Sequence, residues 1–260
     1  MLTKLRNLVD PIGLDLTMLI AVLIVVVGVW GFVEIADEVT EGDTKSFDEW
    51  AVRALRKPGD IATPLGPKWL HEVGRDITAL GGVAVLFMIT LGVAGFLTMQ
   101  KKYHAMWLVV AATVGGLIIS TLLKNSFARP RPQIVTHLAH VYTSSFPSGH
   151  SMLSAVVYLT LGALLSRFIE GRWSKFYFLS IAMLLTFVVG VSRVYMGVHY
   201  PTDVLAGWAA GLAWALLCWL VARYLQRRGA VERDVDSAEP KGSATAPPTS
   251  PATANPARAR

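Results

Sequence analysis

The sequence predicts an all-α membrane protein, a bundle of six transmembrane helices with a partly helical loop between helices 1 and 2. Three observations lead to this prediction. Of the 260 residues, 53% are hydrophobic and only 16% are charged. Six apolar blocks approach the roughly 20 helical residues needed to cross a hydrocarbon core of about 30 Å. The charged residues gather at the two ends of the chain and between these blocks, as expected when the blocks lie in lipid.

Each apolar block is predicted to be a helix. Backbone polar groups cannot stay unpaired in lipid, and the alternation of apolar and polar residues that a barrel needs is missing. The predicted spans are Leu16–Ile35, Ile77–Thr98, Ala105–Leu123, Ser151–Phe168, Phe176–Val191 and Asp203–Leu225. Residues 1–230 therefore form one predicted membrane domain. Residues 231–260, rich in Ala, Pro, Ser and Thr, are predicted to be a disordered tail.

Basic residues in the short connections predict the orientation. They precede span one, join spans two and three, join spans four and five, and follow span six: Lys4, Arg6, Lys101, Lys102, Arg167, Arg172, Lys175, Arg223, Arg227 and Arg228. These segments alternate along the chain, so both termini and the tail are predicted to be cytoplasmic in a multi-pass cell-membrane protein. The loops 36–76, 124–150 and 192–202 then lie on the extracytoplasmic side. The composition of the tail is typical of a bacterial protein.

The outer loops also carry basic residues, against the orientation rule, and these require another role. They are Lys124, Arg129, Arg131 and Arg193. The net charge of +6 does not predict nucleic-acid binding, because no basic stripe is interleaved with surface aromatic residues. Cys218 is the single cysteine, which excludes a disulfide or a thiolate metal site within one chain. Nothing in the sequence specifies an oligomeric state.

The loop between helices 1 and 2 contains a predicted short helix. Apolar residues at helical spacing form one stripe, consisting of Phe47, Trp50, Ala51, Ala54 and Leu55. Charged residues occupy the rest of the circumference, namely Asp48, Glu49, Arg53 and Arg56. Two interpretations stay open. The helix lies on the outer leaflet near a substrate entrance, or it is a lid packed on the bundle.

Three polar clusters stand at the outer ends of spans three to six. They consist of Lys124 and Arg131, then the segment Pro147–His150, then Ser192, Arg193, His199 and Asp203. The predicted topology puts all three clusters on one side of the membrane at similar depth. The three cations of these clusters suit a phosphate group, whose charge is spread over several oxygens. Because Pro147–His150 leads into a helix N-terminus, free N–H groups there favour an anion, with Ser148 adding a hydroxyl and Gly149 allowing close approach.

Two histidines supply candidates for the reaction. Asp203 follows His199 by four residues, so its carboxylate can accept a hydrogen bond from one ring nitrogen and leave the lone pair on the other. This predicts His199 as a nucleophile and His150 as the acid and base for the leaving group and the water. Because carboxylates with metal-ligand spacing do not accompany them, we predict chemistry without a metal or another cofactor.

The clusters together resemble the three-part signature of the type-2 phosphatidic acid phosphatase superfamily, in its membrane branch. Its eleven specified positions match as Lys124-x6-Arg131-Pro132, Pro147-Ser148-Gly149-His150 and Ser192-Arg193-x5-His199-x3-Asp203. The resemblance implies a lipid phosphatase of lipid metabolism, acting on phosphatidic acid, phosphatidylglycerol phosphate or undecaprenyl diphosphate. It also implies a phosphohistidine on His199, acid–base action by His150 and orientation by Asp203. The implied phosphate ligands are Lys124, Arg131, Ser148, Gly149 and Arg193.

Three other functions agree less well with the sequence. A membrane transporter is disfavoured because the middles of the six spans lack the ionisable residues that mark a transport path. A vanadate-dependent haloperoxidase shares the motif, but the membrane spans argue against that soluble class. A lipid-binding protein without turnover is disfavoured because His150, His199 and Asp203 are intact.

Overall fold

The computed structural model describes residues 15–138 and 143–227. Its helices are α1 (Leu16–Glu41), α2 (Lys45–Ala54), α3 (Lys68–Leu80), α4 (Val83–Met99), α5 (Tyr103–Ser126), α6 (Gly149–Phe168), α7 (Arg172–Tyr195) and α8 (Pro201–Arg227). A small antiparallel hairpin, β1 (Arg56–Lys57) and β2 (Asp60–Pro64), follows α2. The all-α prediction is confirmed. The predicted tail, residues 231–260, lies outside the described residues, as do Lys4, Arg6 and Arg228.

The membrane spans follow the predicted blocks with one difference. The helices α1, α5, α6, α7 and α8 are each long and apolar enough to cross a membrane, and α3 with α4, bent by 50° at their junction, gives a sixth candidate span when the pair is counted as one. The predicted span Ile77–Thr98 is therefore not one straight helix. It breaks at Gly81 and Gly82, and a Cβ atom built on Gly81 would lie 2.4 Å from Val189 Cγ1. The glycine allows the bend to pack directly against α7.

Helix α6 lies at the centre of the bundle. Within its most apolar window 61% of the residues are buried, against 11% for α1. It packs against α5, α7 and α8, while α1 packs against α8 from outside. The exposed apolar faces of the outer helices are those expected of helices surrounded by lipid. The N-terminus of α6, which carries the second sequence cluster, is thus held on several sides.

Two glycines bring α8 into close contact with α6. A Cβ atom on Gly207 would lie 2.6 Å from the carbonyl oxygen of Ser148, and one on Gly211 would lie 2.5 Å from that of Met152. Small residues four apart allow this approach in membrane helices. The first turn of α8 is therefore fixed beside the first turn of α6.

Helix α2 turns a polar face towards the bundle and most of its apolar stripe away from it. Phe47 and Trp50 are 50% and 65% exposed, whereas Asp48 and Val52 are fully buried. Helix α2 therefore packs on the bundle through Asp48 and Val52, while Phe47 and Trp50 stay exposed, so both interpretations of this helix stay predictions. Asp48 is buried because it forms an ion pair with Arg129 at 2.6 Å. The placement of the exposed stripe in a lipid leaflet stays a prediction.

Candidate active site

The structure brings the predicted site residues together at one end of the bundle. Helix ends and the loops between them supply all eight: Lys124, Arg131, Ser148, Gly149, His150, Arg193, His199 and Asp203. We call this the site end, and the end that carries the α4–α5 and α6–α7 connections the opposite end. The juxtaposition of the three clusters, inferred from the order of the spans, is thus present in the fold.

His199 and Asp203 form the couple that their spacing predicts. His199 Nδ1 lies 3.3 Å from Asp203 Oδ2, and both side chains are buried. The same carboxylate oxygen accepts hydrogen bonds from the Tyr200 amide at 2.9 Å and from the Ser145 hydroxyl. With its Nδ1 proton directed at this carboxylate, the imidazole presents the Nε2 lone pair on its other side. Sequence reasoning missed Ser145.

Arg131 lies against that other side of the imidazole. Its Nη1 atom is 3.2 Å from His199 Nε2 and donates to the carbonyl oxygen of Val198 at 2.8 Å. Its Nε atom donates to the carbonyl oxygen of Thr143 at 2.8 Å. These carbonyl contacts hold the guanidinium in place. An anion bound to Arg131 would therefore lie directly beside the candidate nucleophilic nitrogen.

The second cluster connects the first to the third. A Cβ atom on Gly149 would lie 3.0 Å from Lys124 Cε, so the glycine allows the lysine to lie across the start of α6. Lys124 Nζ donates to the carbonyl oxygen of Ser144 at 3.1 Å. The Ser148 amide donates to the backbone carbonyl of Asp203 at 2.9 Å, and its hydroxyl caps α6 by accepting from the Ser151 amide. The second motif is thereby in contact with Lys124 of the first motif and with Asp203 of the third.

Arg193 is a buried cation facing other cations. It is 3% exposed, and its Nε atom has no hydrogen-bond partner among residues 15–138 and 143–227. Ser192 beside it donates to the carbonyl oxygen of Val189 and contacts Thr78 of α3, both at 2.6 Å, consistent with a structural role. A buried N–H group without an acceptor is costly. The site therefore favours an anion that would accept from Arg193.

The electrostatics of the site favour a neutral nucleophile and a bound anion. Burial lowers the pKa of His199 to about 3; Asp203 opposes the shift, and the charges of Arg193 and Arg131 reinforce it. Burial also lowers the pKa of Arg131 from its ordinary value, although Asp203 acts in the opposite direction. His150 lies within electrostatic range of Arg193, His199, Lys124 and Arg131. Among the described residues, no group of three or more His, Cys, Asp or Glu is placed to hold a metal ion.

Sequence reasoning missed the role of Arg129. It appeared only as one of the basic exceptions in the outer loops, outside any motif spacing. In the structure its Nη1 atom lies 2.6 Å from Asp203 Oδ1 and its Nη2 atom 2.6 Å from Asp48 Oδ2. Burial acts to lower the pKa of Arg129, but Asp203 and Asp48 raise it overall. Arg129 thus bridges two buried carboxylates, one of them in the candidate site.

The region that carries the three clusters matches a known family. The family model described as the PAP2 superfamily, the type-2 phosphatidic acid phosphatases, matches residues 104–227. Phosphatidylglycerophosphatase B of Bacillus subtilis (strain 168) is 36% identical over 156 residues, which span 59% of this chain and 74% of that protein. The chain belongs to the PAP2 superfamily. The resemblance drawn from the motifs is confirmed.

Other PAP2 members support the same assignment. The putative undecaprenyl-diphosphatase YbjG of Escherichia coli (strain K12) is 30% identical over 165 residues, 62% of this chain and 77% of that protein. The crystal structure of a transmembrane PAP2-type phosphatidylglycerolphosphate phosphatase from Bacillus subtilis matches with a TM-score of 0.71 and 29% identity, covering 78% of this chain and 98% of that one. The chain is therefore a multi-pass membrane phosphatase of the PAP2 type, a hydrolase, as predicted.

Proposed function

We propose that this PAP2 enzyme hydrolyses the terminal phosphate of a lipid phosphate or diphosphate through a phosphohistidine on His199. One observation carries the proposal. The two ring nitrogens of His199 have different partners: Nδ1 lies 3.3 Å from Asp203 Oδ2, and Nε2 lies 3.2 Å from Arg131 Nη1. A phosphate held by Arg131 and Arg193 would present phosphorus to the nitrogen that keeps its lone pair.

In the first half-reaction the cations hold the substrate phosphate while the bond to the lipid breaks. His199 Nε2 attacks phosphorus, an N–P bond forms, and the P–O bond to the leaving group breaks. His150 donates its proton to that leaving oxygen. Asp203 stabilises the positive charge that the phosphorylated imidazole acquires. The non-bridging oxygens bind Lys124, Arg131, Arg193 and the start of α6 at Ser148 and Gly149, which is the main requirement of phosphoryl transfer.

In the second half-reaction water releases the phosphate. A water molecule attacks phosphorus and gives a proton to His150, which returns to its starting state. The N–P bond breaks, inorganic phosphate leaves, and His199 is again a neutral imidazole. Every step uses side chains of this chain, so we propose turnover without a metal or another cofactor.

The names of two relatives supply the substrates to test first. Similarity to a phosphatidylglycerophosphatase at 36% identity favours a glycerolipid phosphomonoester. Similarity to a putative undecaprenyl-diphosphatase at 30% identity favours a polyprenyl diphosphate as the second candidate. The proposed ligands all contact the phosphate, so both substrates fit the same chemistry.

We propose that the site end lies on the extracytoplasmic side and both termini lie in the cytoplasm. The opposite end carries Lys101 and Lys102 in its α4–α5 connection and Arg172 and Lys175 in the first turn of α7, as cytoplasmic ends of spans do. The basic exceptions near the motifs, Lys124, Arg129, Arg131 and Arg193, are engaged within the site instead. Lys57→Cys in a Cys218→Ser background should react with an impermeant maleimide on intact cells. Arg172→Cys in that background should react only after permeabilisation, and the reverse pattern would overturn the orientation.

The function is tested by phosphate release from purified protein. Wild type is assayed in detergent micelles with phosphatidylglycerol phosphate, phosphatidic acid and undecaprenyl diphosphate, with and without EDTA. We expect release that EDTA leaves unchanged, and none from His199→Ala. His104→Ala is the matched control, because His104 is an exposed histidine at the opposite end of α5. Activity in His199→Ala would contradict the nucleophile, and vanadate-dependent halide oxidation without phosphate release would favour a haloperoxidase.

A further inference from the structure

A buried chain of charges connects the loop helix α2 to the proposed nucleophile. Arg129 lies between Asp48 and Asp203, at 2.6 Å from each carboxylate. The three side chains are 1%, 13% and 0% exposed for Asp48, Arg129 and Asp203. Neither Asp48 nor Arg129 belongs to the three motifs, and Asp48 reaches this chain of charges from α2.

Arg129 fixes the plane of the Asp203 carboxylate. Oxygen Oδ1 accepts from Arg129, while oxygen Oδ2 faces His199 and accepts from Ser145 and the Tyr200 amide. Each oxygen therefore has its own set of partners. Without Arg129, Oδ1 would be a buried charged atom with its strongest partner removed, and the carboxylate could rotate away from His199.

Asp48 preserves the charge that Asp203 presents to His199. A lone Arg129 would neutralise Asp203, which would weaken the attraction between that carboxylate and a positively charged imidazole. Asp48 adds a second negative charge on the far side of Arg129, so the three groups together carry one negative charge. Asp48 also accepts from the Thr202 amide at 3.2 Å and the Thr202 hydroxyl at 2.6 Å, which holds the first turn of α8.

We propose that Asp48 and Arg129 are positioning residues of this phosphatase, which hold the Asp203 carboxylate in the orientation and net charge that His199 requires. This inference rests on the proposed roles of His199 and Asp203. It makes α2 part of the catalytic apparatus and not only a segment at the lipid surface. Arg129 contacts Asp203, and Asp48 contacts Arg129 and Thr202, so we expect their effect to fall on the chemical step.

Asp48→Asn is the first test, because the amide keeps the shape and removes the charge; its one oxygen can still accept from Arg129 and the Thr202 hydroxyl, while the bond from the Thr202 amide is lost. We expect kcat to fall about tenfold or more, as an uncompensated Arg129 disfavours the charged phosphohistidine. KM should stay unchanged or decrease, since the phosphate cradle is intact. Glu49→Gln is the matched control: the neighbouring acid of α2 pairs with Arg53 at 3.5 Å, outside the chain of charges, and should behave as wild type.

The pH profile separates positioning from simple loss of folded protein. The charged and titratable groups that face His199 are Asp203 of α8, Arg131 of the loop between α5 and α6, Arg193 of α7 and His150 of α6. Asp48→Asn alters none of them but leaves Arg129 uncompensated. The acid limb of kcat/KM should therefore move to lower pH by roughly half a unit. A smaller fraction of active enzyme would lower kcat without moving the limb.

A double variant tests whether Asp48 acts through Arg129. Arg129→Gln should lower kcat at least as far as Asp48→Asn, and the double variant should fall no further than Arg129→Gln alone. Asp48→Glu, which keeps the charge, should retain the wild-type acid limb even if it is less stable. Multiplicative losses in the double variant, or a wild-type kcat and acid limb in Asp48→Asn, would overturn the inference.

His199→Ala is included in the same assay. It distinguishes a failure of the positioning role of Asp48 and Arg129 from a failure of the proposed function. An inactive His199→Ala beside a wild-type Asp48→Asn would overturn the positioning role alone. An active His199→Ala would overturn the nucleophile and, with it, the basis of the inference.

Discussion

The two ends of the helix bundle both carry cations, but they hold them in different ways. At the opposite end, Arg223 and Arg227 pair with Asp15, and Lys102 lies 3.7 Å from the centre of the Phe168 ring. Those arginine side chains are 35% and 36% exposed. At the site end Arg193 is 3% exposed and faces other cations. The presence of a cation at a helix end therefore does not by itself indicate a functional site. Burial of that cation among like charges does indicate a site for an anion.

The difference has an energetic reason. A charge near the surface is screened by solvent, so its pairing contributes little to stability. A buried cation without a counterion is unfavourable, and a bound anion removes that unfavourable term. The buried cations of the site end should therefore lower its stability, and a phosphate bound as proposed would offset that cost. Substitutions at matched positions of the two ends can test this contrast.

The largest expected effect comes from a pair of arginines at the two ends of α7. Arg193→Ala removes a buried donor aimed at the phosphate and should lower kcat/KM by about 10² to 10³. Arg172→Ala removes an exposed arginine at the opposite end and should leave kcat/KM within about twofold of wild type. Phosphate-release kinetics with the preferred lipid measure both. Equal losses in the two variants would remove the contrast between the ends.

A smaller effect is expected where α8 meets α6 at the site end. Gly207→Ala places a Cβ atom 2.6 Å from the carbonyl oxygen of Ser148 and should separate the two helices. We expect destabilisation by about 1–3 kcal/mol and a loss of activity, because the second and third motifs move apart. Gly31→Ala in α1 is the control, since its Cβ atom would meet nothing within 4 Å. Thermal unfolding in detergent should show a lowered midpoint for Gly207→Ala only.

The acid limb of the pH profile should lie well below the ordinary histidine range. Burial lowers the pKa of His199 to about 3, so the imidazole stays neutral until the pH falls towards that value. Because kcat/KM reports the free enzyme, it should not decline near pH 6.5, where an exposed histidine would protonate. Phosphate release measured from neutral to acidic pH provides the check, with circular dichroism at each pH as the control for folding. A limb centred near 6.5 would contradict the neutral buried nucleophile.

The smallest effect is expected at the opposite end. Asp15→Asn removes the charge that pairs with Arg223 and Arg227, while the amide can still accept from the Met18 amide at the start of α1. Exposed pairs contribute about 0–1 kcal/mol, so the unfolding midpoint should hardly change. Activity should equal that of wild type. A marked loss of activity would show that the two ends are coupled.

Local patterns made most of the fold and site predictable. The positions of five spans follow from apolar length alone, and each corresponds to a single helix. The contact of His199 with Asp203 follows from a spacing of four residues at the start of α8. The convergence of the three clusters follows from the order of the spans, since consecutive helices alternate in direction.

What the sequence did not reveal depends on tertiary contacts. The bend at Gly81 and Gly82 does not interrupt the apolar run. The hydropathy pattern therefore predicts the length of this span but not its bend. Arg129 finds Asp48 across 81 residues and Asp203 across 74, without any spacing rule. The inward turn of Asp48 also runs against the rule that apolar faces point inwards. That rule assumes water outside, and it would lose its force if the exposed stripe of α2 lies in a lipid leaflet, as predicted.

The hydrogen bond from the Ser148 amide to the backbone carbonyl of Asp203 has a practical consequence. It fastens the turn that we propose to bind phosphate to residue 203 through the main chain, independently of the carboxylate that contacts His199. Asp203→Asn would keep that fastening and lose the carboxylate. Such a protein retains an assembled but chemically silent pocket, suited to capturing an intact lipid substrate for crystallography or cryo-electron microscopy.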